Sequence, residues 1–256
     1  MELETVTYIK EDKIGIITLS RPQAKNAISS KLMEELHTIM DEAEMDELRA
    51  LIITGTENSF CAGADLKEVA GLYGLAKHNF THRAQIALQR IEKLPIPVIA
   101  AMNGYAFGGG LELALACDIR LIIPNTKLGL TEVTIGLNPA WGGSQRLPRL
   151  IGHSQARYLI LTGEIITSEE AVEMGMMAKL VDSKVLMYEA KKLARKIARN
   201  APRSVSTAKR VLNGHLYRED ISLLEYEAAT ELTQLEDFKE GIHATLERRT
   251  PNFHGK

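Results

Sequence analysis

The chain has 256 residues, 45% of them hydrophobic, with 31 Lys and Arg against 33 Asp and Glu and a formal charge of −2. That length and apolar content can fill one large core or two modest ones. The near-balanced charge excludes a general electrostatic pull toward DNA or an anionic membrane.

Charges in the opening MELETVTYIKEDK occupy the place where a signal peptide needs an apolar core, and no apolar run approaches membrane-spanning length. Cys61 and Cys117 are too few for a disulfide framework and sit among small or apolar neighbours. A soluble, cytoplasmic protein is expected. TVTYIK and KIGIITL, short and rich in β-branched residues, predict a hairpin turning at Glu11 and Asp12, and RPQAKN reads as loop. From Ser29 to Asp46, Leu32, Met33, Leu36, Ile39 and Met40 share one face, predicting an amphipathic helix capped by Ser29 or Ser30. RALIITG predicts a buried strand, residues 83–93 a helix, and PIPVIAAMNGYAF a further strand. Strands alternating with helices point to an α/β arrangement with parallel pairing. After Trp141, segments with helical spacing dominate, among them SQARYLILTG, SEEAVEMGM, VLMYEAKKLARKIARN and ISLLEYEAATELTQ. Neither a linker nor a regular internal repeat divides the chain.

Chemistry is suggested at three places. Gly108, Gly109 and Gly110 lie between a strand and the apolar LELALAC, a corner that exposes helix N-terminal N–H groups able to hold an anion or a developing oxyanion. The same glycines would also serve close packing, and the pattern is neither a dinucleotide fingerprint nor a phosphate-binding loop. Glu112, about one helical turn beyond Gly109, is an acid in an apolar helix, which demands either a task there or a partner such as an arginine or a backbone N–H. FCAGADLKE forms a second small-residue corner, where the Ala64 N–H is a candidate donor and Asp65 a candidate helix cap. Glu132 precedes a loop shaped by Pro139, Gly142 and Gly143; with Glu112 it would suit acid–base work at an activated carbonyl.

FCAGADLKE, NGYAFGGGLELALACDIR, GLTEVTIGLNPAWGGSQRLPRLIG and EGIHATLERRTPNF, with RPQAKNAIS before them, resemble in order and spacing the enoyl-CoA hydratase/isomerase, or crotonase, family almost end to end. The resemblance implies an α/β fold with a ClpP/crotonase-like spiral core of ββα units over residues 1–195 and a helical trimerisation region over 196–256. It implies an oxyanion hole at the N–H groups of Ala64 and Gly109, and catalytic glutamates at Glu112 and Glu132. The CoA pocket would lie around Ala24, Ala62, Ala64, Asp65, Leu66 and Lys67. The activity implied is reversible syn addition of water across the 2,3-double bond of a 2-enoyl-CoA, giving a 3-hydroxyacyl-CoA, with Glu132 protonating Cα. No metal or cofactor is implied beyond the coenzyme A of the substrate, and the assembly would be a homotrimer or a dimer of trimers. Methylglutaconyl-CoA hydration is an alternative that should demand a basic residue in the acyl pocket, and isomerisation commonly needs only one of the two acids.

Some positions depart from the family pattern. Ala140 stands where glycine is common and Trp141 where a small residue is usual, so Trp141 either reshapes the acyl pocket or packs against the helical half. Thr245 and Arg248 replace an aromatic residue and a lysine; Arg248 can still meet a phosphate. His78 and His82 are spaced like two ligands on a helix but lack a third, so a solvated helix over the acyl pocket is expected rather than a metal site. Cys61 has no histidine nearby in sequence and reads as packing. A relative that hydrates methylglutaconyl-CoA also binds RNA, but KKLARKIARNAPR reads as the solvated face of an amphipathic helix.

Overall fold

The first two strands pair as the sequence predicts. In the computed structural model, which describes residues 3–45, 47–214, 235–237, 240, 244, 247 and 249–256, β1 (Val6–Glu11) and β2 (Ile14–Leu19) form an antiparallel hairpin whose turn holds Asp12 at φ 55°. Next comes α1 (Ser30–Met45), where the Ser29 hydroxyl accepts from the Leu32 N–H at 3.2 Å, as an N-cap does. Leu32, Met33, Leu36, Ile39 and Met40, the face expected from helical spacing, are all fully buried.

Beyond α1 the chain repeats a ββα turn three times, each turn giving one strand to each of two sheets. The first comprises β3 (Ala50–Gly55), β4 (Ser59–Cys61), a short α2 (Leu66–Ala70) and α3 (Leu75–Lys93). The second is β5 (Val98–Met102), β6 (Tyr105–Phe107) and α4 (Gly109–Ala116). In the third, β7 (Ile119–Ile122) and β8 (Lys127–Gly129) lead to α5 (Gly143–Thr162). PIPVIAAMNGYAF, expected as one strand, is therefore two strands in different sheets. The Asn103 side chain fastens the corner between them by accepting from the Gly55 N–H and donating to the Glu57 carbonyl. A spiral of this kind needs no sequence period, because each turn is defined by where its strands pair.

Two strand–helix pairs close the spiral: β9 (Ile166–Thr167) with α6 (Ser168–Glu173), then β10 (Lys179–Leu180) with α7 (Leu186–Ala198). Helix α8 (Pro202–Gly214) follows. The six-stranded sheet runs β1-β2-β3-β5-β7-β10, parallel from β2 onward, and the four-stranded sheet runs β4-β6-β8-β9. Buried on both faces, the central strands are continuously apolar, and alternate residues serve different cores. Leu51 and Ile53 face the core shared with α1 and α3, whereas Ala50 and Ile52 face Leu186, Ala190 and Ala194 of α7. The basic tract of α7 lies on the far side of that contact, where Lys191 pairs with Glu11 and Lys192 with Glu189.

Three boundaries differ from expectation. α3 starts eight residues early, at Leu75 rather than Arg83, because Phe80 adds an inner anchor to Ala84, Ala87, Leu88 and Ile91. α5 begins at Gly143, ahead of the SQARYLILTG helix expected from spacing, and breaks at Gly152, whose φ of 79° and ψ of 157° are not helical. The division expected at 195/196 falls inside α7, which runs unbroken to Ala198. Thr245, Arg248 and the ISLLEYEAATELTQ segment lie outside the described residues.

Candidate active site

The two small-residue corners meet in space. Gly63 holds φ at 100°, and a Cβ placed on it would stand 2.7 Å from the Phe107 carbonyl oxygen and 3.4 Å from the Gly109 nitrogen. A parallel bridge joins Ile28 to Ala64: Ile28 donates to the Gly63 carbonyl at 2.7 Å, and its own carbonyl accepts from the Asp65 N–H at 2.9 Å. Peptide groups alternate sides along extended chain, so the Ala64 N–H points away from Ile28. Among the described residues, neither it nor the Gly109 N–H, in the first turn of α4, donates to a main-chain acceptor.

The three glycines of this corner have separate reasons. Gly108 takes φ 49°, a conformation costly for a residue with Cβ. A Cβ on Gly109 would lie 2.1 Å from Cζ3 of the Trp141 indole, and one on Gly110 would lie 2.1 Å from the Cys61 carbonyl oxygen. Close packing, which the sequence posed as one reason for the glycines, is present at Gly109 and Gly110. Every residue of α4 is buried, including Glu112 at 2% exposure.

Glu112 Oε1 accepts from the main-chain N–H groups of Trp141 at 2.8 Å and Gly143 at 2.7 Å. Gly143 is required here: a Cβ on it would stand 3.0 Å from that oxygen. Burial pushes the Glu112 carboxyl up to about 7, helped by the charge of Glu132 and opposed by the two N–H donors and by Arg146. Arg146 is fixed in turn, bidentate to Glu92 at 3.1 and 3.0 Å and donating to the Trp141 carbonyl at 2.8 Å.

Glu132 opens a short 3-10 turn, Glu132–Ile135, whose end Gly136 turns at φ 77°. Its Oε1 lies 3.3 Å from where a Gly108 Cβ would be, so the carboxyl stands over the glycine corner. Both Glu132 carboxyl oxygens are buried without a hydrogen-bond partner, and among the described residues no other side-chain nitrogen or oxygen is in that state. Burial pushes this carboxyl up as well, with only its own main-chain N–H opposing.

An enoyl-CoA hydratase/isomerase family model matches residues 10–256. The chain belongs to the enoyl-CoA hydratase/isomerase family. It is 40% identical over 253 residues to a short-chain-enoyl-CoA hydratase of Clostridium acetobutylicum, covering 97% of each chain. Identity to a crotonyl-CoA hydratase of Syntrophomonas wolfei is 36% over 260 residues, the whole of both chains. The crystal structure of an enoyl-CoA hydratase from Bacillus anthracis superimposes with a TM-score of 0.95 at 37% identity, covering 99% of this chain and all of that one. The fold is the crotonase fold expected from the family motifs.

The other residues singled out from those motifs fall around the Ala64 corner. Asp65 caps α2 through the N–H groups of Lys67 and Glu68 and accepts from Arg21 at 2.9 Å. Burial would raise the Asp65 carboxyl, but the Arg21 bond and the capping N–H groups outweigh it and hold the pKa low. Ala24 ends the short turn Pro22–Ala24, and the following Lys25 carbonyl accepts from the Ala62 N–H at 3.1 Å. Leu66 and Lys67 are exposed, whereas Ala140 is half-buried and Trp141 buried. Burial pushes the Cys61 thiol up to about 12, which leaves it inert as a nucleophile. The His78 and His82 rings stack 6.3 Å apart on the exposed side of α3, and no group of three or more potential metal-ligating side chains occurs among the described residues.

Sequence reasoning missed the supports. Arg21 and the fully buried Asn26 lock the RPQAKN loop to the Ala64 corner: Asn26 donates to Ser59 and accepts from the Arg21 N–H. Left-handed φ at Lys25 and Asn26 was the local signal, since asparagine tolerates that conformation. Arg146 sits one helical turn after the Gly142–Gly143 pair, but nothing local announces its bond to Glu92, 54 residues earlier.

Proposed function

We propose that the protein hydrates 2-enoyl-CoA thioesters, adding water across the 2,3-double bond to give 3-hydroxyacyl-CoA. The observation that carries this reading is the pairing of two acids of raised pKa, buried Glu112 tied by two N–H groups and half-buried Glu132 with both oxygens covered and unpartnered, beside a corner with two N–H groups that meet no main-chain acceptor among the described residues. The N–H groups of Ala64 and Gly109 would receive the negative charge that reaches the thioester oxygen as water adds at Cβ; one such donor is typically worth roughly 10²–10³ in rate. Charge on Glu132 raises the Glu112 carboxyl, so the titration of one depends on the other. Donors onto Glu112 favour its carboxylate and so its role as the base that takes the proton of water. Unpartnered Glu132 favours the neutral acid, which delivers a proton to Cα; in dehydration the roles exchange.

The CoA moiety would lie along Ala24, Ala62, Asp65, Leu66 and Lys67, with Arg248 reaching a phosphate. No cofactor takes part in this scheme beyond the substrate's own CoA. Assembly as a homotrimer or pair of trimers and residence in the cytoplasm belong to the same proposal, which the buried free cysteines suit. An acyl chain bearing its own carboxylate, as in methylglutaconyl-CoA, is disfavoured because Arg146, the cation beside the acids, is already bound by Glu92. Loss of enoyl-thioester absorbance on crotonyl-CoA tests the proposal. Turnover with 3-hydroxybutyryl-CoA as product is expected, and a folded protein that binds CoA but hydrates no enoyl-CoA overturns it.

A further inference from the structure

The main chain of Trp141 is fixed from both sides: its N–H donates to Glu112 Oε1 at 2.8 Å and its carbonyl accepts from Arg146 at 2.8 Å. The side chain has no more freedom. The indole lies against the Cα of Gly109, where a Cβ would come within 2.1 Å of Cζ3 and 2.4 Å of Cε3, and it meets the Phe80 ring at 6.0 Å between centroids. Trp141 is 5% exposed and Phe80 4%. Aromatic rings wedged in a close-packed interior do not yield to an incoming chain without displacing what lies behind them.

The indole therefore lies against the glycine of the oxyanion corner, while the main-chain N–H of the same residue holds the Glu112 carboxylate. A thioester whose oxygen reaches the Gly109 N–H places C2 and C3 beside the two glutamates. The next carbons must then run past a ring in contact with that same glycine, within roughly 4 Å as packed apolar groups lie. We propose that the Trp141 indole, backed by Phe80, is the wall that sets acyl length, restricting the site to short 2-enoyl chains. This rests on the hydration reading above.

The wall is tested with the full chain as wild type, Trp141→Ala, Trp141→Phe and Phe80→Ala. Hydration of crotonyl-, 2-hexenoyl- and 2-octenoyl-CoA is measured beside calorimetric binding of butyryl- and octanoyl-CoA. Wild type is expected to favour crotonyl-CoA. Trp141→Ala should raise the octenoyl-to-crotonyl ratio of kcat/KM by more than about tenfold, as pocket discrimination of roughly 10–200-fold per methylene implies. Trp141→Phe and Phe80→Ala should move the ratio the same way by less, and they carry the test if the Ala variant fails a thermal-melt check. An unchanged ratio in any folded variant overturns the wall while leaving hydration intact. A wild type that hydrates nothing sinks the hydration reading instead; binding then decides, since octanoyl-CoA must gain on butyryl-CoA when residue 141 is truncated.

Discussion

Glu35 and Glu112 are buried acids, Glu132 is half-buried with both carboxyl oxygens covered, and Glu35 ends in the opposite state to the other two. Glu35, on α1 at 4% exposure, accepts from the N–H of Glu4 at 3.0 Å and from both the N–H and hydroxyl of Thr5, with Lys31 at 3.5 Å. Burial alone would raise its carboxyl, but Thr5 and Glu4 outweigh it and hold the pKa below the ordinary value. Glu112 has two donors and a neighbouring charge, Glu132 has no donor from any other described residue, and both are raised. Burial is common to all three. The supply of donors separates an acid that clamps the amino terminus to α1 from two acids whose neutral forms are favoured.

The largest effect expected from this contrast is on turnover. Glu112→Gln and Glu132→Gln should each lower kcat/KM for crotonyl-CoA by roughly 10²–10⁴, the usual worth of a positioned acid or base, while leaving the fold intact. Glu35→Ala should do the reverse. It strands buried donors at a cost on the order of 3 kcal/mol, read as a melting temperature lowered by several degrees with kcat of the folded enzyme unchanged. Turnover lost in Glu35→Ala at a temperature where it is folded would break the comparison.

Stability against pH sharpens it. A carboxyl raised to about 7 in the folded state binds its proton more tightly there than in the unfolded chain, so it costs stability as pH rises from the ordinary carboxylate range through about 7. Glu112→Gln removes that cost. It should be more stable than wild type at pH 8 by roughly 3 kcal/mol, and the gap should close as pH falls below 5. A gap that widens toward acid would mean that Glu112 is stabilised by its charge, as Glu35 is. The smallest effect is expected at Lys31, half exposed and 3.5 Å from Glu35. Lys31→Met should change stability by less than about 0.5 kcal/mol in urea unfolding, because the Thr5 and Glu4 donors carry the Glu35 site.

Much of this was legible locally. The hairpin, the inner face of α1 and the buried strand β3 follow from periodicity, and the glycine corner with Glu112 and the later Glu132 drew attention by composition. Glu35 did not, although MEELH and LELAL place an acid beside leucine in much the same way. What distinguishes the two is supplied from elsewhere: Thr5, 30 residues before Glu35, and Trp141 and Gly143, 29 and 31 residues after Glu112. The split of residues 98–107 between two sheets was hidden for the same reason, because both halves are apolar and extended and only their pairing partners differ.

The sequence by itself determined which segments are strand or helix, where the chain could turn through left-handed glycines, and, through its family motifs, the kind of chemistry to look for. Those depend on side-chain period, backbone freedom and residue type, all local properties. Tertiary structure decided which N–H groups at the corner lack a main-chain acceptor and which acid lacks a partner among the described residues, and that Trp141 lies on Gly109. Each is a matter of hydrogen-bond and packing partners far apart in the chain, and no local pattern records which of them will meet.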